Sequence, residues 1–500
     1  MTQQAYLVFD IGTGNARVAV TTIEGKVLAL ARADIAYQRD SLYPDSCSFE
    51  PEQLWTQIVN LVQQALATVP QAEVIGITST SQRQGIVLID KQGASYLGLP
   101  NIDNRGREWE ESAGDAARIY KLTGRTPSAL FSAMKLVGLR ERHRAAYEAL
   151  HQFTSISEWV IYQLSGQLIY EPSQASETLL YDVAEGEWSA EMCKQFDIDP
   201  SILPPLVSSG TVIGTLSTAL ASAWGLQATI PIIVGGGDTQ LAIASTAAQP
   251  GDLVIVSGTT TPIAKIIADY VSDPAQIAWI NAHTSEGQWL VETNPGITGL
   301  NYQRLKRIFY PNESYAVMEQ EISELATSEC TAALGAYLST EKNARVQGGF
   351  LFDAPISDQL SRAHFVKAAL DEIAFSIKVH FEQLMKVSPL QSPIIYACGG
   401  GLQSRLLVQT LANLLGQEIR VREGYEQASV AGAVTLCNQA LGYRDRVEQE
   451  QPVHIFIPQP SEALEQDYKQ WRQTQLWFGS HTKIATATAS IQDAISELRH

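Results

Sequence analysis

Residues 9–20, FDIGTGNARVAV, set an acid, Asp10, directly before a Gly-Thr-Gly turn flanked by apolar runs. Residues 251–271, GDLVIVSGTTTPIAKIIADYV, repeat that plan in the second half of the chain: apolar strand, small-residue turn, apolar strand. Each reads as an antiparallel hairpin, and an isolated hairpin is barely stable in water, so each demands a sheet and a core of its own. A chain of 500 residues is also too long for one ordinary core. The sequence therefore predicts two domains, 1–245 and 246–500, with the boundary shortly after Asp238, where the second hairpin begins.

The rest of the pattern fits an α/β chain. A helix-period segment, PEQLWTQIVNLVQQALATV (51–69), is followed by AEVIGITST (72–80), a short apolar run suited to a buried strand. The turn Glu24-Gly25 closes a further strand pair, and residues 105–165 read mainly as helices and loops. In the second half a long helical stretch, 362–387, leads into SPIIYACGGGLQSRLLVQTLANLLG, which reads as strand, glycine-rich turn and amphipathic helix. The last forty residues read as an exposed helical tail, with LEQDYKQWRQTQLWF either a homodimer contact or a surface helix.

Composition removes several classes of function. A net charge of −18 is unsuited to nucleic acid or to an anionic membrane. Five scattered cysteines without a C-x-x-C pair, and eight histidines without ligand spacing, indicate neither a disulfide framework nor a zinc site. No charge falls between Pro200 and Gly237, yet Pro204, Pro205, Pro231 and several glycines break that run, so it is not a spanning helix. The N-terminus has no signal-peptide pattern, and the expected location is the cytoplasm.

The turns carry the chemistry. Gly12 and Gly14 begin a G-x-G, but the third glycine of a dinucleotide fingerprint would be residue 17, which is Arg17, and a strand rather than a helix follows. Backbone N–H groups in a small-residue turn still form a nest for an anion, with Thr13 and Asn15 as side-chain donors. Asp10 would repel a phosphate unless a cation stands between them. It either serves a magnesium ion, directly or through water, or caps the turn. Ser257–Thr261, SGTTT, is a second hydroxyl-rich turn. In ACGGGLQSRL, Gly399, Gly400 and Gly401 allow a flat ring against the backbone, with Gln403, Ser404 and Arg405 at the helix start within reach of a ribose or purine edge. The same stretch also reads as a plain strand-to-helix turn. In PIIVGGGDTQLAI a strand ends in three glycines and Asp238, placed either as a base for a hydroxyl proton or as a helix N-cap.

These four pieces, in this order, resemble the FGGY family of carbohydrate kinases. The resemblance implies the two-domain actin-like (ribonuclease H-like) α/β fold, each domain a mixed sheet flanked by helices, with ATP, Mg2+ and substrate in the cleft between them. It also implies that Asp10 is the magnesium-associated acid, that Thr13, Gly14 and Arg17 lie near the transferred phosphate, and that Gly258, Thr259 and Thr260 grip the other phosphates. Gly400 and Gly401 would then lie at the nucleotide, and Asp238 would be the catalytic base.

The substrate side lies in STSQRQGIVLID and NIDNRGREW. Xylulose kinases usually read Q-M-H-G and glycerol kinases N-Q-R-E-T where this chain reads Ser81-Gln82-Arg83-Gln84-Gly85. The W-x-D-x-R pattern of many members appears as Asn101-Ile102-Asp103-Asn104-Arg105, with the tryptophan lost. The Arg-x-Gly-Ile-Val-Leu string and the phrase GGGDTQL resemble the autoinducer-2 kinase branch. A pocket of Gln82, Arg83, Gln84, Asp103, Arg105 and Asp238 suits a small polyhydroxylated molecule, and Gln82 and Arg83 alternatively read as a solvated loop. Glu158 and Trp159 line the same cleft or belong to the scaffold. The expected activity is ATP-dependent phosphorylation of a small sugar, a pentulose such as xylulose or ribulose or a related polyol or hydroxyketone. Autoinducer-2 kinase or glycerol kinase-like activity is the alternative; an actin-like ATPase or a catalytically silent regulatory protein is the rival of another class.

Overall fold

The computed structural model describes residues 3–325, 329–335, 347–443 and 453–481. The chain divides into two compact units, Met1–Ala247 with Ile266–Leu290 and Gln427–Gln451, and Ala248–Lys265 with Val291–Glu426 and Pro452–His500.

The first unit is built on a six-stranded sheet. Its hairpin is β1 (Gln3–Ile11) and β2 (Asn15–Thr22), extended by antiparallel β3 (Val27–Asp34). On the other side of β1 lie the parallel strands Ala72–Ser81 and Pro231–Gly237, and the antiparallel Val212–Thr215 closes the edge. Both faces are covered, which explains why β1 reads as an unbroken apolar run. The strand's period of two sends Ala5, Leu7, Phe9 and Ile11 to one core, shared with α1 (Pro51–Thr68) and the helix Ile156–Ser165. Helix α1 contributes Leu54, Ile58, Leu61 and Val62, each worth about 1.5–3 kcal/mol on burial. Tyr6 and Val8 face the opposite core, with Val430, Ala433, Val434 and Cys437 of the helix Ala428–Leu441. Asp10 is the next residue on that second face.

Two segments from the second half of the sequence thus pack with the first unit. For Ala428–Leu441 the reason is a close approach. A Cβ on Gly432 would stand 1.8 Å from the Leu241 carbonyl oxygen, so only glycine lets this helix lie against Asp238–Ala244. The segment 81–99, left unassigned by the sequence pattern, forms the strands Ile86–Ile89 and Ser95–Leu99, which join Gln152–Ser155 in a three-stranded sheet.

In the second unit, Leu253–Val256 pairs antiparallel with Ile263–Ile267 and parallel with Ile394–Cys398. Glu418–Arg422 and then Val453–Phe456 continue the sheet. This repeats the first unit's plan, a hairpin whose first strand has a parallel neighbour. The long helix Arg362–Val387 starts in a capping box of Ser361 and His364. The C-terminal helix Glu462–His481 is not exposed all round: Trp471 is buried against Phe375, and Gln475 Nε2 donates to the Ala332 carbonyl. Residues 482–500 of the expected tail lie outside the described residues.

All five cysteines are buried thiols, none of them in a disulfide. No helix among the described residues is long and apolar enough to cross a membrane. The uncharged stretch 200–237 is divided among a 3-10 turn, the strand Val212–Thr215, the helix Thr218–Trp224 and the strand Pro231–Gly237.

Candidate active site

The first turn presents its acid across the hairpin. Asp10 and Arg17 are directly opposed in the β1–β2 register, and Arg17 NH2 donates to Asp10 Oδ2 at 2.6 Å. The same oxygen accepts from Ser429 Oγ at 2.7 Å, since Asp10 lies on the sheet face covered by the helix Ala428–Leu441. Arg17 NH1 is held in turn by Gln427 Oε1. Both bonds to Asp10 fall on Oδ2, so Oδ1 remains for a ligand, and the carboxylate suits a cation that keeps most of its own waters. Among the described residues no group of three or more acidic, histidine or cysteine side chains gathers into a complete metal cage. Thr13, Gly14 and Asn15 are half-buried in the turn, closed by Gly12 N–H donating to Asn15 O at 3.0 Å.

Gln82 serves this turn from behind. It is 1% exposed, its Nε2 donates to the Gly12 carbonyl at 3.2 Å, and its Oε1 accepts from the Asn101 N–H at 3.0 Å. Arg83 and Gln84 converge instead on Glu177, a fully buried carboxylate that sequence reasoning did not single out. Arg83 NH1 is 3.3 Å from Glu177 Oε1, Arg125 NH2 donates to the same oxygen at 2.8 Å, and Gln84 Nε2 donates to Oε2 at 2.6 Å. Arg125 lies over the Trp279 ring at 4.4 Å. Gln84 adopts φ +64°, a left-handed backbone that a non-glycine residue holds only when its surroundings enforce it. Gly85 follows because a Cβ there would come within 2.6 Å of Ile156. Nothing in the text of residues 171–180 marks Glu177 out; its role depends on which helix brings it under the loop.

Asp238 starts the helix Asp238–Ala244 at the carboxyl end of its strand, with Gly237 as N-cap. Its carboxylate accepts from Thr239 N–H at 2.7 Å and Thr239 Oγ1 at 3.2 Å. Burial pushes its pKa up to about 6, opposed by the Arg83 guanidinium and reinforced by the charge of Asp10. Gln240, fully buried one position beyond Thr239, has no hydrogen-bond partner on either amide atom among the described residues, and its Oε1 lies against Gly237. The string GGGDTQL contained Gln240, but only the local packing reveals an unused amide.

Asp103 and Arg105 bond chiefly to each other. Arg105 Nε donates to Asp103 Oδ2 at 2.8 Å, while Asp103 Oδ1 takes the Cys47 N–H at 2.8 Å. Lys135, fully buried, donates to the Asp103 carbonyl, and burial lowers its pKa to about 8. This pair therefore shapes the 100–105 loop. Glu158 and Trp159 belong to the scaffold. Trp159 fills the first core and donates to Ser95 Oγ, and Glu158 is bound by Ser155 and Ser157 with its pKa raised to about 8 by burial and by Glu171.

In the second unit the two small-residue turns lock together. Gly401 N–H donates to the Ser257 carbonyl at 2.8 Å, and Ser257 N–H donates to the Cys398 carbonyl at 2.8 Å. A Cβ on Gly401 would meet Ser257 Oγ at 2.3 Å, whereas one on Gly400 would meet nothing within 4 Å. Gly258 and Thr259 are exposed and Thr260 is half-buried, above a hydroxyl ladder of Ser257, Thr261 and Thr298. Gly299, also missed from sequence, backs the turn, for its Cβ would lie 2.2 Å from the Gly258 carbonyl oxygen. Gln403 is exposed, and Ser404 Oγ caps the helix Arg405–Leu415 by accepting from Leu407 N–H.

Residues 5–244 match the N-terminal domain of the FGGY family of carbohydrate kinases, and residues 314–441 match its C-terminal domain. A Bacillus subtilis (strain 168) protein named "Putative sugar kinase YoaC" is 56% identical over 485 residues, covering 96% of this chain and 99% of its own. The autoinducer-2 kinase of Escherichia coli (strain K12) is 24% identical over 509 residues, covering 95% of each. The solved structure of a ligand-bound xylulose kinase from Lactobacillus acidophilus superposes with a TM-score of 0.83 at 18% identity, over 96% of this chain and 99% of that one, and shares the two-domain α/β fold. The chain belongs to the FGGY family of carbohydrate kinases.

Proposed function

We propose that this kinase transfers the γ-phosphoryl group of ATP to a hydroxyl of a pentulose such as xylulose or ribulose, or of a related small polyol or hydroxyketone. The observation that carries the reading is Asp238, a carboxylate at a strand end with its pKa raised to about 6 and Arg83 beside it. A group with that pKa is largely ionised at neutral pH yet is basic enough to take a hydroxyl proton as the oxygen attacks. The acceptor oxygen forms a bond to the γ-phosphorus, the bond to the β-phosphate oxygen breaks, the proton passes to Asp238, and ADP leaves. Thr13, Gly14, Asn15 and Arg17 are assigned to the transferred phosphate. Gly258, Thr259 and Thr260 take the remaining phosphates, and Gly400, Gly401, Gln403 and Ser404 the nucleoside. Asp10 is the residue that would hold Mg2+, which when bound offsets phosphate charge. Gln84, Arg83 and the unpartnered amide of Gln240 supply donors and acceptors for sugar hydroxyls, and such buried groups reject an analogue lacking its hydroxyl by ~10⁴ or more.

A second reading, phosphorylation of the linear autoinducer-2 precursor, is supported by Arg83 and Gly85 in the acceptor loop and by the E. coli relative. ADP release with Mg–ATP over glycerol, erythritol, xylulose, ribulose, ribitol, gluconate and that precursor, with Asp238→Asn as control, separates these readings. Turnover of a pentulose that is lost in the variant supports the first. Equal release with and without every compound would overturn both.

A further inference from the structure

We propose that Asn101 is a positioning residue that turns the Thr13 hydroxyl proton toward the transferred phosphate, joining the acceptor loop to the phosphate turn. The inference rests on the kinase reading above. Asn101 is the residue standing where many family members carry the tryptophan of W-x-D-x-R. Its Nδ2 donates to Thr13 Oγ1 at 2.9 Å. A hydroxyl has one proton to give and two lone pairs to receive. With one lone pair filled by the amide N–H, the proton cannot be spent on Asn101 and is directed away from it, where a phosphate oxygen accepts it.

The remaining contacts of the turn point the same way, because they remove what would repel an anion. The Thr13 carbonyl accepts from Tyr37 O–H at 2.8 Å, and the Gly12 carbonyl accepts from Gln82 Nε2 at 3.2 Å. Gln82 Oε1 in turn takes the Asn101 N–H at 3.0 Å. Asn101 is therefore fixed at its backbone by the residue that holds the turn's carbonyl, and fixed at its side chain on the turn's hydroxyl. Lys135 grips the other end of the same loop through the Asp103 carbonyl. A shift of the 100–105 loop would move the Thr13 donor with it, so acceptor-loop position and phosphate binding are mechanically linked.

The test is a double-mutant cycle on the full chain, measured with Mg–ATP and the compound turned over best by the wild type. Asn101→Ala is expected to lower kcat/KM for ATP about tenfold, the scale of one misdirected hydrogen bond to a charged group, while the KM for the acceptor stays within about twofold. Thr13→Val is expected to cost at least as much, and adding Asn101→Ala to it is expected to cost nothing further. Thr13→Ser keeps the hydroxyl, so Asn101→Ala in that background is expected to show its full loss. Asn101→Asp can only accept, so it draws the Thr13 proton to itself and is expected to be no better than alanine. Losses that multiply in the double variant, an Asn101→Asp enzyme equal to wild type, or a loss confined to acceptor KM would each overturn the proposal. So would a melting temperature that falls in proportion to activity across the set. A wild type that binds ATP but phosphorylates no compound would instead remove the kinase reading itself.

Discussion

Asp10 and Arg17 face each other across the first hairpin, joined at 2.6 Å with the arginine a quarter exposed and the acid almost fully buried. The acid before the Gly-Thr-Gly turn thus has a cation of its own, on the strand leaving the turn. Removing Arg17 would leave a buried carboxylate with Ser429 as its one remaining side-chain donor among the described residues. Arg17→Met is expected to destabilise the protein by about 1–2 kcal/mol, less than a fully buried pair because water reaches the guanidinium. Urea unfolding measures this, and kinase assays of the same variant are expected to show weakened use of ATP.

For Asp238 the expected pH dependence has a definite sign. Its folded pKa, about 6, lies above the ordinary aspartate value of 3.8. The neutral form is therefore favoured by folding, and ionisation costs stability as pH rises through 6. Catalysis needs the ionised form, so kcat/KM is expected to climb from pH 5 and level off above about 7. Asp238→Asn is expected to be inactive. Its melting temperature should match the wild type only below about pH 4, where both folded and unfolded aspartate are protonated, exceed it increasingly up to about pH 6 and by a constant margin above, and thermal scans from acid to neutral pH check that profile.

Glu177 carries two guanidiniums and an amide on one buried carboxylate. Glu177→Gln would strand Arg125, which has no solvent to turn to. A loss of about 3–5 kcal/mol is expected from uncompensated buried charge, read by urea unfolding. Because Arg83 and Gln84 lose their anchor together, the KM for the acceptor is expected to rise more than the KM for ATP.

Both hairpins, the helix Pro51–Thr68, the strand Ala72–Ser81 and the glycine turns were legible because each is a local pattern of period and small residues. What stayed hidden is long-range. The sequence offered no sign that Ala428–Leu441 packs with the first unit, since Gly432 against Leu241 is a contact between distant segments. Glu177, Gln240 and Gly299 were missed for the same reason: an unused amide or a close carbonyl exists only after folding. Gln82, Asp103 and Arg105 were noticed as polar residues near a substrate loop. Their hydrogen bonds run to backbone and to each other, a difference that residue type alone cannot express.

Gly400 and Gly401 offer the sharpest contrast between neighbours. A methyl group on Gly401 would press on Ser257 at 2.3 Å and on its backbone at 3.1 Å, so the two turns of the second unit would have to separate. Gly401→Ala is therefore expected to lower the melting temperature and to raise the KM for ATP together. Gly400 has an ordinary backbone φ and open space where its Cβ would stand. Gly400→Ala is expected to leave the melting temperature unchanged. If the nucleoside lies over this turn, that same variant raises the KM for ATP with no loss of stability, because the methyl group then occupies the ligand's space and not the protein's. An unchanged KM would move the nucleoside site away from Gly400 while leaving the role of Gly401 in bracing the Ser257 turn intact.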